Sequence, residues 1–343
     1  PSLILGMSEG QPITRGFPGW LQPRLPFFYG WVVLTAVCCA GFARQGPAVA
    51  TLSIFIEPMT GEFGWSRTSL SAAVSLGGVL AAIASPLLGP ILDRRGARVM
   101  LCVAVLVTGM CALLLSLTQS LVVFVVLFCI ARMSFASPFE LGIYGAVNNW
   151  FVRKRGIATS MATFMQMMGL MAMPLIAQLT INTHGWRSGW IAIGITVLIV
   201  GFIPVWLLVV RRPEDMGIVP DGTDQTGKEI AQDSQGSPSE PAFPRAQAVR
   251  TGTFWLLSLY TLLVYPVQAG VSLHQVPHLI ERGIDPTIAA TIIGVFSLLS
   301  AISGLAFGAF IRHLGVRLSL MVTALFLALS AVVMVWITQS WHG

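Results

Sequence analysis

The chain has 343 residues, 55% of them hydrophobic and only 10% charged, with a mean hydropathy of +0.78. An ordinary soluble domain carries roughly 25% charged residues, so this chain cannot cover itself with polar surface and lipid is its expected solvent. Its net charge of +6 sits in short clusters between apolar blocks, which argues against a nucleic-acid partner and for membrane topology.

The segment 1–27 holds Pro12, Pro18, Pro23 and Pro26 and no signal-peptide core, and is read as a cytoplasmic tail. Apolar helices are predicted near 28–57, 68–91, 99–117, 121–147, 156–179, 187–210, 252–279, 286–310 and 317–337, each long enough to cross a hydrocarbon core of about 30 Å. Six of these spans form a bundle over 28–210. The polar stretch 211–250 is a cytoplasmic loop whose Ser/Gln/Asp/Pro-rich run cannot bury enough apolar surface to order itself, and 251–343 holds a further three helices. With the N-terminus inside, Arg94, Arg95, Arg98, Arg153, Lys154, Arg155, Arg211 and Arg212 all fall on the cytoplasmic side, and the excess of Lys and Arg there orients the chain in the cell (plasma) membrane. All five cysteines, Cys38, Cys39, Cys102, Cys111 and Cys129, lie inside apolar blocks without metal-ligand spacing and read as small buried hydrophobes.

GPILDRRGAR (89–98) and GAFIRHLGVR (308–317) share glycines and a terminal Arg at the same offsets, the mark of two related halves. Gly89, Asp93, Arg94, Gly96 and Arg98 fit a G-x-x-x-D-R-x-G-x-R loop, and on them the chain resembles the major facilitator superfamily. FYGWVV (28–33), EFGWSR (62–67), NWFVRKRG (149–156), HGWRSGW (184–190) and RRPEDMGIVPDG (211–222) resemble its monocarboxylate transporter and oxalate/formate antiporter branches. The resemblance implies an all-α membrane fold of twelve helices in two bundles, a central cavity and alternating access. By that standard about nine helices are present and the C-terminal bundle is incomplete, so a truncated product or fragment is expected. Apart from the family, Gly89 and Gly96 permit tight turning and close approach of helix ends. Asp93 can accept from a helix N-terminus or pair with an Arg. The five residues thus read as a conformational latch, or else as a charged positive-inside turn.

Two arginines lie within apolar spans. Arg44 is about 16 residues into the first, about 24 Å along a helix, and Arg132 is near the middle of the fourth. An Arg at a helix centre costs about 2.5–3.5 kcal/mol on insertion scales, and Glu140 is the acid well inside a span. One carboxylate cannot neutralise two guanidiniums, so an organic anion is the expected partner, held bidentately. Pairing of Arg44 with Glu140, or snorkelling, is the alternative, and Arg132 reads equally as structural. Gly46–Pro47 interrupts the first span beside Arg44, freeing backbone groups as binding helices of transporters do. Glu140 is a candidate proton carrier, since a carboxyl group can take up and release a proton as its surroundings alternate between wet and dry. His274 is a second candidate, although it and His278 read also as interfacial residues. Tyr260, Tyr265 and Gln268 on the seventh span are secondary lining candidates. The methionines of the fifth span, among them Met165 and Met168, suit packing or an adaptable wall. The eighth span carries no charge where the family often has an Arg, which counts against a monocarboxylate.

There is no phosphate-binding G-x-x-x-x-G-K-[ST], no H-E-x-x-H and no G-x-S-x-G, so neither an ATP-driven pump nor an enzyme is expected, and no cofactor or metal. The expected function is gradient-driven transport of a small organic anion such as a monocarboxylate, with a proton or in exchange, by a monomer in the lipid bilayer. Efflux of hydrophobic or aromatic compounds and a non-transporting remnant are the alternatives.

Overall fold

The computed structural model describes residues 16–221, 247, 249–281, 283 and 286–335; the side chains at 269–281, at most positions between 286 and 312 and at 334–335 fall outside that description. Among the described residues the fold is helical apart from one parallel bridge between Phe151 and Asp221. The chain divides into two compact units, 1–228 and 229–343.

In the first unit a short helix α1 (Phe17–Leu21) precedes α2 (Gly30–Ala43) and α3 (Val49–Phe63). These two occupy the first predicted span, interrupted as expected at Gly46–Pro47 and running further than expected, to Phe63. Pro47 has no N–H to continue the ladder. The freed groups are met by protein: the Gln45 carbonyl accepts from the Ala48 N–H at 3.1 Å and the Thr51 hydroxyl at 3.0 Å. Helix α4 (Arg67–Leu115) begins at Ser66, whose hydroxyl accepts from the Ser69 N–H at 3.0 Å, an N-cap. It covers the second and third predicted spans and is broken at Gly96 (φ 80°, ψ 167°), a conformation open essentially to glycine alone.

The fourth predicted span is two helices, α5 (Leu121–Ala136) and α6 (Pro138–Trp150), parted at Ser137 (φ −133°, ψ −73°). The prediction of one continuous helix missed Pro138, which suits a helix's first position and not its interior. Helix α7 (Arg155–His184) follows, then α8 (Trp186–Thr196), a π turn at Val197–Phe202 and α9 (Ile203–Leu208).

The segments singled out in the sequence meet in pairs. At one end of the bundle Tyr29 and Trp31 pack on Trp150 and Phe151, with ring centroids 5.8 and 5.2 Å apart. The start of the central loop folds onto this end. Pro213 and Met216 are buried in a 3₁₀ turn, and the Asp221 carboxylate accepts from the Val152 and Lys154 N–H groups at 2.6 and 2.9 Å. The polar stretch therefore begins with chain that packs on this end, from Arg211 to Asp221. At the opposite end Phe63 stacks on Trp65 at 4.4 Å and meets Trp186 edge-on at 5.8 Å.

The second unit contains α10 (Gly252–Glu281) and α11 (Pro286–Val335). The latter is broken at Gly315 (φ 75°, ψ 159°), the glycine that aligns with Gly96 in the repeat and repeats its backbone conformation. Five described helices are long and apolar enough to cross a membrane: Arg67–Leu115, Leu121–Trp150, Arg155–His184, Trp186–Leu208 and His313–Val333. The protein is an all-α, multi-pass membrane protein.

Candidate functional site

Arg44 and Arg132 come together. Arg44 follows the last residue of α2, and Arg132 lies on α5; their guanidinium carbons each stand 4.2 Å from the centre of the same ring, Phe135. The two charges are therefore no more than twice that distance apart. Their solutions differ. Arg44 forms an ion pair with Glu140 Oε2 at 2.5 Å, donates through Nε to the Phe135 carbonyl at 2.8 Å and donates through Nη1 to Gln166 Oε1. Arg132 has no carboxylate partner among the described residues, and its Nε is buried without a hydrogen bond.

Local sequence explains this geometry. The end of a helix leaves its last carbonyls without intrahelical partners, and Phe135, one residue from the end of α5, offers its carbonyl to Arg44. Starting α6 at Pro138 puts Glu140 in its first turn, where the partial positive charge of a helix N-terminus suits a carboxylate. Ser137, in the break, shares a hydrogen bond with the Ser85 hydroxyl of α4 at 2.7 Å. Gly77 on α4 makes room for Arg132: a Cβ there would lie 2.6 Å from the Arg132 Cβ.

Of the surplus charge expected from sequence, the share on Arg44 is neutralised by Glu140, so the surplus rests on Arg132. The contact lies at the edge of a buried region: Glu140 Oε2 is buried, while 39% of the Glu140 side chain is exposed against 12% for Arg44. Phe135 and Gln166 were not singled out in the sequence. For Gln166 the signal was available: it is a lone amide in the apolar, methionine-rich run TFMQMMG.

The loop motif forms the break in α4. Gly96 lies against Arg211, so closely that a Cβ on this glycine would stand only 2.4 Å from the Arg211 Cγ. Arg211 donates to the Asp93 backbone carbonyl at 3.1 Å, so among the described residues it is this carbonyl, not the carboxylate, that meets an arginine. Arg98 donates to the Trp206 carbonyl at 2.6 Å and lies 5.1 Å from its ring centre. Arg94 is exposed. Gly89 is helical with open space around it, so close approach at that position is not what the described residues require. Leu92, Asp93, Gly96, Gly145, Asn148, Asn149, Arg211 and Arg212 line a cleft of about 230 Å³ here.

A model of the Major Facilitator Superfamily matches residues 28–343. The chain belongs to this superfamily. Among curated proteins, this facilitator is 28% identical over 226 residues to the membrane sensor protein UhpC of Salmonella typhimurium, covering 64% of this chain and 50% of that one. It is 25% identical over 249 residues to UhpC of Escherichia coli K12, covering 71% and 56%. The chain thus spans about half the length of the curated relatives it matches. Neither carries the name of a monocarboxylate or oxalate/formate carrier, so the comparisons reach the superfamily and not those branches.

In the facilitator's second unit, the Tyr260 hydroxyl donates to the Leu320 carbonyl at 3.2 Å, a bond that ties α10 to α11. Tyr265 and Gln268 are exposed on α10. The side chain of His274 lies outside the described residues, as does that of His278.

Proposed function

We propose that this facilitator moves a small organic anion, such as a monocarboxylate, across the cell membrane by alternating access. Arg44 and Arg132 hold the anion, and Glu140 takes up a proton when the anion displaces it from Arg44. One observation carries the reading: two guanidiniums share the Phe135 ring and, among the described residues, only one of them is paired with a carboxylate. Burying a charge is costly unless it is paired, and a guanidinium takes a carboxylate through two parallel hydrogen bonds. Cation–π contact with Phe135 offsets part of that cost and leaves the net positive charge in place. The bundle end bearing Arg94, Arg95, Arg98 and Lys154 faces the cytoplasm by the positive-inside rule, the working unit is a monomer, and coupling is to protons or to a counter-anion.

Reconstituted in proteoliposomes, the chain is expected to take up labelled small carboxylates, faster with an inward proton gradient, and Arg132→Gln is expected to reduce uptake at least tenfold. Uptake undiminished in Arg132→Gln would refute the site. A second reading has its own support, since both relatives are named membrane sensors: the same site binds the anion and reports it without transport. Saturable binding of carboxylate with no uptake would decide for that reading.

A further inference from the structure

Gln166 is 3% exposed on α7, and its stem fills the space that a Cβ on Gly41 of α2 would need, with the Gln166 Cγ 3.0 Å from that position. Its amide is oriented by Arg44. A guanidinium only donates, so the oxygen must face Arg44 and Nε2 must point elsewhere. Nε2 is buried and has no acceptor among the described residues. Leaving a buried donor unpaired is unfavourable, and the neighbouring Arg132 presents a second such donor in its Nε. Both groups require acceptor atoms, and among the described residues the carboxylate nearby, Glu140, is engaged with Arg44.

We infer that Gln166 is a specificity-determining residue, whose N–H₂ accepts only ligands carrying a carbonyl or hydroxyl oxygen beside the anionic group. This rests on the anion reading of the site. The ligand class narrows from any small anion to oxo- or hydroxy-substituted ones, because a plain aliphatic acid would leave the amide donor as unpaired as before. A site built to hydrogen-bond a polar atom rejects the analogue that lacks it.

The test uses the whole chain in lipid nanodiscs and two matched pairs of probes, pyruvate against propionate and 2-hydroxyethyl phosphate against ethyl phosphate, with affinities from thermal shift titrations. The wild type is expected to favour the acceptor-bearing member of at least one pair about tenfold, the worth of roughly one hydrogen bond. Gln166→Met, of similar volume and without a donor, brings that ratio to about one while the anion still binds. Should that variant not fold, Gln166→Leu, equally uncharged and without a donor, carries the same expectation. A ratio near one in the wild type, or an unchanged ratio in a folded variant, overturns the role of Gln166 and leaves the anion site standing. Failure of all four probes to bind the wild type overturns the anion reading and this inference with it.

Discussion

Among its described residues the first unit holds two arginine–carboxylate pairs in different settings. Arg44 and Glu140 meet at 2.5 Å between α2 and α6, with Arg44 only 12% exposed; Arg187 and Glu62 meet at 2.8 Å at a bundle end, each about two-fifths exposed. The outer carboxylate accepts also from the Trp186 indole at 2.5 Å, and Arg187 lies 4.4 Å from the Trp186 ring centre. In water such a pair gains little, and its purpose is geometric: it fixes the α3–α4 turn to the start of α8. The inner pair is held where the Arg44 charge cannot be cheaply abandoned, although the Glu140 side chain is 39% exposed. A third charge, Arg132, stands beside it without a counterpart among the described residues. Identical chemistry thus serves as a staple in one place and, as proposed, as a ligand-exchangeable contact in the other.

The two pairs should differ most at Glu140. Glu140→Gln keeps the shape and removes the one negative charge beside two guanidiniums, so it is expected to destabilise the folded bundle by on the order of 3 kcal/mol. Removing Arg44 as well should recover much of this in a double-mutant cycle. Added small carboxylate should also raise the melting temperature of Glu140→Gln more than that of the wild type, by replacing the missing charge. A Glu140→Gln protein that melts with the wild type would show that the inner pair is no more demanding than the outer one.

A smaller effect is expected at the broken helices. Gly96 and Gly315 share a glycine-only conformation, yet a Cβ at Gly96 would strike Arg211 whereas none of the described residues crowds Gly315. Alanine at either should cost about 1–3 kcal/mol in backbone strain, and Gly96→Ala should cost more than Gly315→Ala because Arg211 must also move. Equal losses in chemical denaturation would mean that Arg211 yields freely and that the turn, not its packing, is what the repeat preserves.

These two glycines also mark how far the sequence could be read. Their offsets within GPILDRRGAR and GAFIRHLGVR announced a common turn, and apolar blocks separated by basic clusters announced the spans, because lipid forces each crossing to satisfy its own backbone. The pairing of Arg44 with Glu140 stood in the sequence only as an alternative, and nothing there decided for it. On a continuous helix Arg132 and Glu140 share an axis, and only the break at Ser137–Pro138 sets Glu140 and the Phe135 carbonyl toward Arg44. Gln166 was visible as a lone amide in an apolar run, but which of its atoms remains unpaired is decided by packing, which composition and period do not record. The order of 211–221 was hidden too, since its burial depends on Asp221 reaching the 152–154 backbone, a contact between segments far apart in the chain.

The smallest expected effect belongs to the outer pair and is read by pH. Hydrogen bonds from Arg187, and then from Trp186, hold the Glu62 carboxyl below the ordinary glutamate value of 4.5. A carboxylate whose folded value is depressed binds fewer protons folded than unfolded, so its contribution is complete above the ordinary value and disappears as pH falls through the lowered one. Glu62→Gln should therefore lower the melting temperature slightly at pH 7 and not at all once the pH lies below both values. High salt should shrink the pH 7 difference, because this pair faces water and is screened. The same salt should leave the Glu140→Gln deficit nearly intact, since a buried Arg44 is shielded from counter-ions. Equal salt sensitivity at the two carboxylates would mean that water reaches both alike, and the inner arginines would then have no need of an anion.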